Sequence, residues 1–330
     1  MKLNHIYKSI ACGVLLAMTA TSCDLDYNPV DTYSDVTEGV NKTDEKPIFN
    51  SVQDVETSMV TLHKKFRDQQ EHWYVDKLLI GDAHSDNAYA GTTGAEVVPY
   101  ETNSIEGSNS VLKRDWDRFL GDIAVANRII VGCDQLKALS ESERGKYQSQ
   151  AKIFRAMVMF DMVRLWGNFP VITTVGGDIT EDNVEEMYPT YFPPQNTAEE
   201  AYAQIEKDLT EAVENPNTPT NDTSDKSILT KSVARAMLAK VYAEKPLRDY
   251  AKVIKYADEL AADGFDLVED FSDLWAYDTE KKDCRVRNTK EAILEAHFPP
   301  GSGNWCTWMF GRNLSNWDES FTWAKWITLS

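Results

Sequence analysis

Five tryptophans, Trp305, Trp308, Trp317, Trp323 and Trp326, fall within 22 residues, more than half of the nine in the chain. The C–H face of a pyranose ring packs on an exposed indole, while its hydroxyls need polar partners at the edge. Asn304, Arg312, Asn313, Asn316 and Asp318 are interleaved with the rings and could supply those partners. Trp305, Trp308, Trp317 and Trp323 are therefore the expected stacking surface for a sugar. A core or a buried interface would use the same rings, and that reading stays open. A second candidate is the loop SDNAYAG, residues 85–91, where Asn87 and Tyr89 combine a polar side chain with an aromatic ring. A capped turn would use the same residues.

Catalytic signatures are missing from the sequence. It contains no G-x-S-x-G, no H-E-x-x-H, no phosphate-binding glycine loop and no dinucleotide fingerprint. The histidines, His5, His63, His72, His84 and His297, are scattered. Binding rather than catalysis is expected, with no cofactor and no metal. A hydrolase would need two carboxylates distant in sequence to face one cleft. An acidic chain offers pairs such as Asp82 and Asp86 by chance. Net charge is −19, from 34 basic and 53 acidic side chains, which argues against nucleic acid as a partner.

The first 22 residues place Lys2 and Lys8 ahead of an apolar run, Ile10 to Ala20, in the layout of a secretory signal. The run is too short for a permanent span. It ends in Ala20, Thr21 and Ser22 before Cys23, small residues that a lipoprotein peptidase accepts ahead of an acylated thiol. Cys23 is the expected lipidation site and first mature residue, with an ordinary cleaved signal as the alternative. Acyl chains there would hold the body at a membrane surface. Cys133, Cys284 and Cys306 follow without C-x-x-C spacing, so no disulfide framework is indicated.

These groups need elements to position them. Residues 23–50 are polar, interrupted by Pro29 and Pro47, and read as a tether. From residue 51 to about 300 the pattern is helical. Ser51 is a plausible cap before Val55, Met59, Leu62 and Phe66. HWYVDKLLIGD forms a second segment. Leu112, Trp116, Phe119, Ile123, Ala126, Ile130 and Cys133 share one face of a helix over 111–133. Its partner starts at a cap near Ser140 and stops at Gly167 and Pro170. Residues 168–196 read as irregular. Helices are expected at 198–214, 229–244 and 250–263. The last two resemble a tetratricopeptide-type hairpin through Leu238, Ala239 and Tyr242 followed by Tyr250, Ile254 and Ala257. Any helical hairpin remains the alternative for one such pair. FDLVEDFSDLWAYD reads as a short extended piece and a helical turn, and EAILEAHF as a strand. Residues 301–330 begin a Trp-rich region that reads as incomplete. The expected fold class is all-α, with tetratricopeptide-like hairpins and long loops.

Together SCDLD, SDNAYAG, WDRFLGDIAVANRII, AKIFRAMVMFDMVRLWGNFPVI, LTKSVARAMLAKVYA, YAKVIKYADELAADGFDL and KEAILEAHF resemble the SusD/RagB family of outer-membrane lipoproteins. The resemblance implies a surface lipoprotein anchored through Cys23 in the outer membrane and facing the cell exterior. Asp24 and Asp26 resemble the signal for that placement. It further implies capture of a glycan or other nutrient for a SusC-like TonB-dependent transporter. Asn87 and Tyr89 match the family's early ligand loop approximately, and the late tryptophans fall near its later aromatics. A helical scaffold that binds protein and has no sugar site is the competing expectation.

Overall fold

The computed structural model describes residues 47–69, 71–85, 88–89, 96–177, 183–244, 246–300 and 328–329. Contacts divide the chain after Pro47 into two units, the larger of which begins at Ile48. It is an all-α assembly, as expected. Helix α1 spans Val52–Asp68, α2 Asp76–Gly81, α3 Val98–Glu101, α4 Ser110–Gln135 and α5 Glu141–Trp166. Beyond them lie α6 Val184–Tyr191, α7 Ala198–Glu214, α8 Lys231–Ala243 and α9 Tyr250–Ala262.

The boundaries follow from local chemistry. Ser51, Ser140 and Thr197 each cap a helix while the acid three residues on, Asp54, Glu143 or Glu200, accepts from the cap's own backbone N–H. These reciprocal pairs satisfy donors that helix starts leave unpaired. Gly167 ends α5 at φ +73°, where a side chain would be strained. Thr230 caps α8, so that helix starts two residues later than its apolar pattern suggested.

Packing runs along the chain order. α4 pairs with α5, α5 with α7, α7 with α8 and α8 with α9, while α1 lies across α4 and α5. This is the stacked-hairpin arrangement in which neighbouring helix pairs bury what one pair cannot. The α8–α9 hairpin is sealed by Tyr242 and Tyr256, whose rings stack 6.1 Å apart. α5 is the central member. Its residues from Ser149 to Phe160 are buried on every side except Lys152, because α4 and α7 cover its opposite faces. The main core includes Phe119, Ile123, Phe154, Met159, Ile205 and Leu238. Phe49 is also 2% exposed, so packed chain begins ahead of residue 51. Its ring lies where a Cβ on Gly132 would sit, at 2.4 Å, which explains a glycine in the last turn of α4.

Two expectations need correction. Residues 291–298 form no strand; one backbone bond, from Glu295 N–H to the Lys226 carbonyl at 2.8 Å, fixes them beside the 215–230 loop. The stretch 168–196, read as irregular, contains α6. Pro189 lies within that helix. β1 (Ala88–Tyr89) pairs antiparallel with β4 (Thr328–Leu329), and β2 (Tyr277–Asp278) with β3 (Asp283–Cys284).

Candidate functional site

A polar cleft of about 410 Å³ opens at the start of α4, lined by Glu96, Pro99, Ser104, Glu106, Ser108, Asn109 and Ser110. Asn109 organises it. Its Oδ1 accepts from the Val111 and Leu112 amides at 3.0 and 3.2 Å, capping α4. Its Nδ2 donates to the Glu96 carbonyl at 2.9 Å, tying the opposite wall to the same residue. Hydroxyls, which both donate and accept, and carboxylates, which accept, are groups that recognise sugar hydroxyls.

Behind the cleft lies a small core separate from the main one: Leu79, Ala83, Val97, Tyr100 and Val111. Ala83 and Val97 bracket the segment that carries SDNAYAG. This core is held to α4 by a π-helical turn, Glu71–Val75, and by α2. Glu71 pairs with Arg118 at 2.8 Å and Asp76 with Arg114 at 2.5 Å. His72 Nε2 lies 2.9 Å from Asp122 Oδ2, which also accepts from Trp73 Nε1 at 3.1 Å. His72, Trp73, Asp76 and Asp122 are all buried. A π-turn of this kind often marks a functional site; here its extra residue turns three consecutive side chains, Glu71, His72 and Trp73, toward one helix.

Asn87, Trp305, Trp308, Trp317 and Trp323 lie outside the described residues. Tyr89 is described in its backbone, which pairs with Thr328 in the register Ala88 to Leu329 and Tyr89 to Thr328. That pairing brings the early candidate loop beside the end of the Trp-rich segment, two regions that the sequence reading had treated separately. Cys23 also lies outside the described residues. Among the described residues no cluster of three or more His, Cys, Asp or Glu has metal-binding geometry, and no helix is long and apolar enough to cross a membrane.

Sequence reasoning missed the cleft. Its signal was TNSIEGSNS, residues 102–110, a polar run between two helices whose hydroxyl density resembles an ordinary connection. It also missed Trp275, which is 75% exposed, with Phe271 at 6.2 Å between ring centroids. The spacing of four in FSDLW was the available sign. A second exposed aromatic pair, Tyr188 and Phe192 at 4.9 Å, stands on α6.

Stacked helical hairpins define an all-helical, tetratricopeptide-like fold. A family model described as "Starch-binding associating with outer membrane", SusD-like, matches residues 32–243. The chain belongs to this SusD-like family. A SusD-like protein of Bacteroides ovatus is 25% identical over 309 residues, covering 90% of this chain and 50% of the relative. Among solved structures, a laminarin-binding SusD-like protein superposes with a TM-score of 0.57 at 21% identity, over 69% of this chain and 48% of that one. A SusD superfamily protein from Bacteroides vulgatus gives 0.59 at 17%, over 70% and 47%. Surface glycan-binding protein A from Bacteroides thetaiotaomicron, in complex with laminarihexaose, gives 0.56 at 16%, over 68% and 46%. The chain spans about half the length of these relatives.

Proposed function

We propose that this chain is a cell-surface lipoprotein that captures a glycan and passes it to a TonB-dependent transporter. The observation that carries the reading is the polar cleft at the start of α4, which lies inside the segment matched by the family. Sugar hydroxyls bond to Ser104, Ser108 and the carboxylates of Glu96 and Glu106, while aromatic rings supply stacking. The candidates for stacking are Tyr89, Trp305, Trp308, Trp317 and Trp323, joined by the exposed Trp275. No bond of the sugar is broken, so the cycle is capture and release.

Affinity electrophoresis against a panel of neutral glucans and mannans tests this. At least one polysaccharide should retard the protein, and Ser108→Ala should weaken binding about 2- to 12-fold, the effect of one hydrogen bond worth about 0.5–1.5 kcal/mol. Retardation by none of the panel, with the chain folded, removes the glycan assignment.

Anchoring through Cys23 follows from the small residues ahead of it and the acidic residues behind it. Mass spectrometry of protein extracted from membranes should find Cys23 as the amino terminus, carrying a thioether-linked diacylglycerol. An unmodified terminus on protein recovered from the cytosol overturns the anchor and the surface location with it. A second reading, a protein-binding scaffold, is favoured by one observation: the outer face of α9 leaves Tyr250 and Ile254 about 60% exposed. Normal glycan affinity after Tyr250→Ser and Ile254→Ser would assign that face to a protein partner rather than to sugar.

A further inference from the structure

Five buried polar atoms meet behind the cleft without a hydrogen-bond partner among the described residues. They are Asp76 Oδ1, Asp115 Oδ1 and Oδ2, the Tyr100 hydroxyl and Arg114 Nε. Asp76 is 0% exposed, while Asp115 and Tyr100 are each 1% exposed. Arg114 reaches Asp76 Oδ2 at 2.5 Å, whereas Asp115 Oδ1 stays 3.8 Å from Arg114 Nε. Arg118, on the same helix, is taken by Glu71. Three carboxyl groups thus face two guanidiniums; Glu71, Arg114 and Arg118 keep partial access to solvent, so the surplus negative charge falls on the buried pair Asp76 and Asp115. Two carboxylates side by side cannot donate to each other; one proton turns the pair into a donor and an acceptor and cancels the surplus charge.

We propose that Asp115 holds a proton at neutral pH and donates it to the Asp76 carboxylate, and that this hydrogen-bonded pair is the positioning element for the wall of the cleft formed by Glu96 and Pro99. The wall depends on it through Tyr100, whose ring is buried in the small core beside Val97 and whose hydroxyl faces the two acids. Burial first, and then the adjacent Asp76 carboxyl, push the Asp115 carboxyl up to about 9, against the opposing pull of Arg114 and Arg118. Between about pH 4, the ordinary carboxylate value, and about pH 9, the folded chain therefore holds a proton that the unfolded chain has lost. Stability falls as pH rises across that window. Once Asp115 ionises, the surplus charge reopens the contact between α2 and α4 and loosens the cleft wall.

The proposal rests on the reading of the cleft as a ligand site, so its test carries readouts that do not depend on ligand. Infrared difference spectroscopy of the intact chain should show the carbonyl band of a protonated acid at pH 7, lost above about pH 9 and absent in Asp115→Asn. Amide exchange at Ser85 and Tyr100, corrected for intrinsic pH dependence, should accelerate at least tenfold between pH 7 and pH 10. In Asp115→Asn, which keeps a donor and cannot ionise, it should stay unchanged. Glycan affinity should fall over the same range in the native chain alone. If no glycan binds while the band and the exchange behave as stated, the sugar reading fails and the proton on Asp115 stands. Absence of the acid band at pH 7 overturns the proposal, a result readable in the native chain whether or not the variant folds. So does its disappearance on adding calcium chloride, since a cation would then balance the charge.

Discussion

Asp208→Ala should lower stability by about 3–5 kcal/mol, the cost of leaving one partner of a buried ion pair uncompensated, and so depress the melting temperature by roughly 10 °C. Arg155 on α5 is 4% exposed on its side chain and Asp208 on α7 is 1% exposed. The pair is bidentate, with Nε to Oδ2 at 2.8 Å and Nη2 to Oδ1 at 2.7 Å. The third guanidinium arm donates to Asn127 Oδ1 on α4 at 2.7 Å, and Asn127 Nδ2 donates to the Ile172 and Thr174 carbonyls at 2.9 and 3.2 Å. One network therefore joins three helices and the chain after α5. Removing the carboxylate strands a guanidinium that has no route to water. Replacing both partners, as in Arg155→Met with Asp208→Leu, removes the charge as well as the pair, and should recover part of the loss. Thermal melts of the two singles and the double would decide it; a double variant as damaged as the sum of the singles would show that the network holds the helices by shape and not by charge compensation.

Asp122→Ala is the second large effect expected, about 2–5 kcal/mol. Asp122 is the shared acceptor for His72 and Trp73 Nε1, and its loss leaves two buried donors unpaired, each costing about 1–3 kcal/mol. The damage should be local. The π-turn at Glu71–Val75 loses two of its links to α4 while Glu71 with Arg118 and Asp76 with Arg114 remain. Amides at Ser85 and Tyr100 should then exchange faster, while those in α8 keep their protection. Lys65, 3.7 Å from Asp122 Oδ1 and partly exposed, should matter far less, because water screens and replaces it. Uniform loss of protection across α8 as well would show that the turn is part of the global core, and not a separately stabilised support for the cleft.

Much of the fold was legible in the residues. The periodicity of Leu112 to Cys133 and the capping groups at Ser51, Ser140 and Thr197 located helices because hydrogen bonding at a helix start and burial along one face depend on residues three or four apart. Gly167 fixed an end for the same reason: its backbone freedom is a property of one residue. The order of helices and the resemblance of their motifs then identified the stack. The helix around Pro189 and the absence of a strand at EAILEAHF were not legible. A proline in the last turn of a short helix and an apolar pattern of eight residues suit more than one conformation, and the neighbours that choose between them come from elsewhere in the chain.

The sequence by itself determined the helical class, the family and the presence of polar and aromatic groups suited to sugar. Only the tertiary structure decided which of them meet. Asp76 and Asp115 are separated by 38 intervening residues, and nothing in either segment announces a buried acid pair. Ser104 to Ser110 reads as a connection in sequence; only in the fold does its Asn109 cap α4 and tie Glu96 to it as a wall. Helix formation is encoded locally by groups a turn apart, whereas a binding cleft and a hydrogen-bonded acid pair depend on distances between segments, which come into being only when the helices pack.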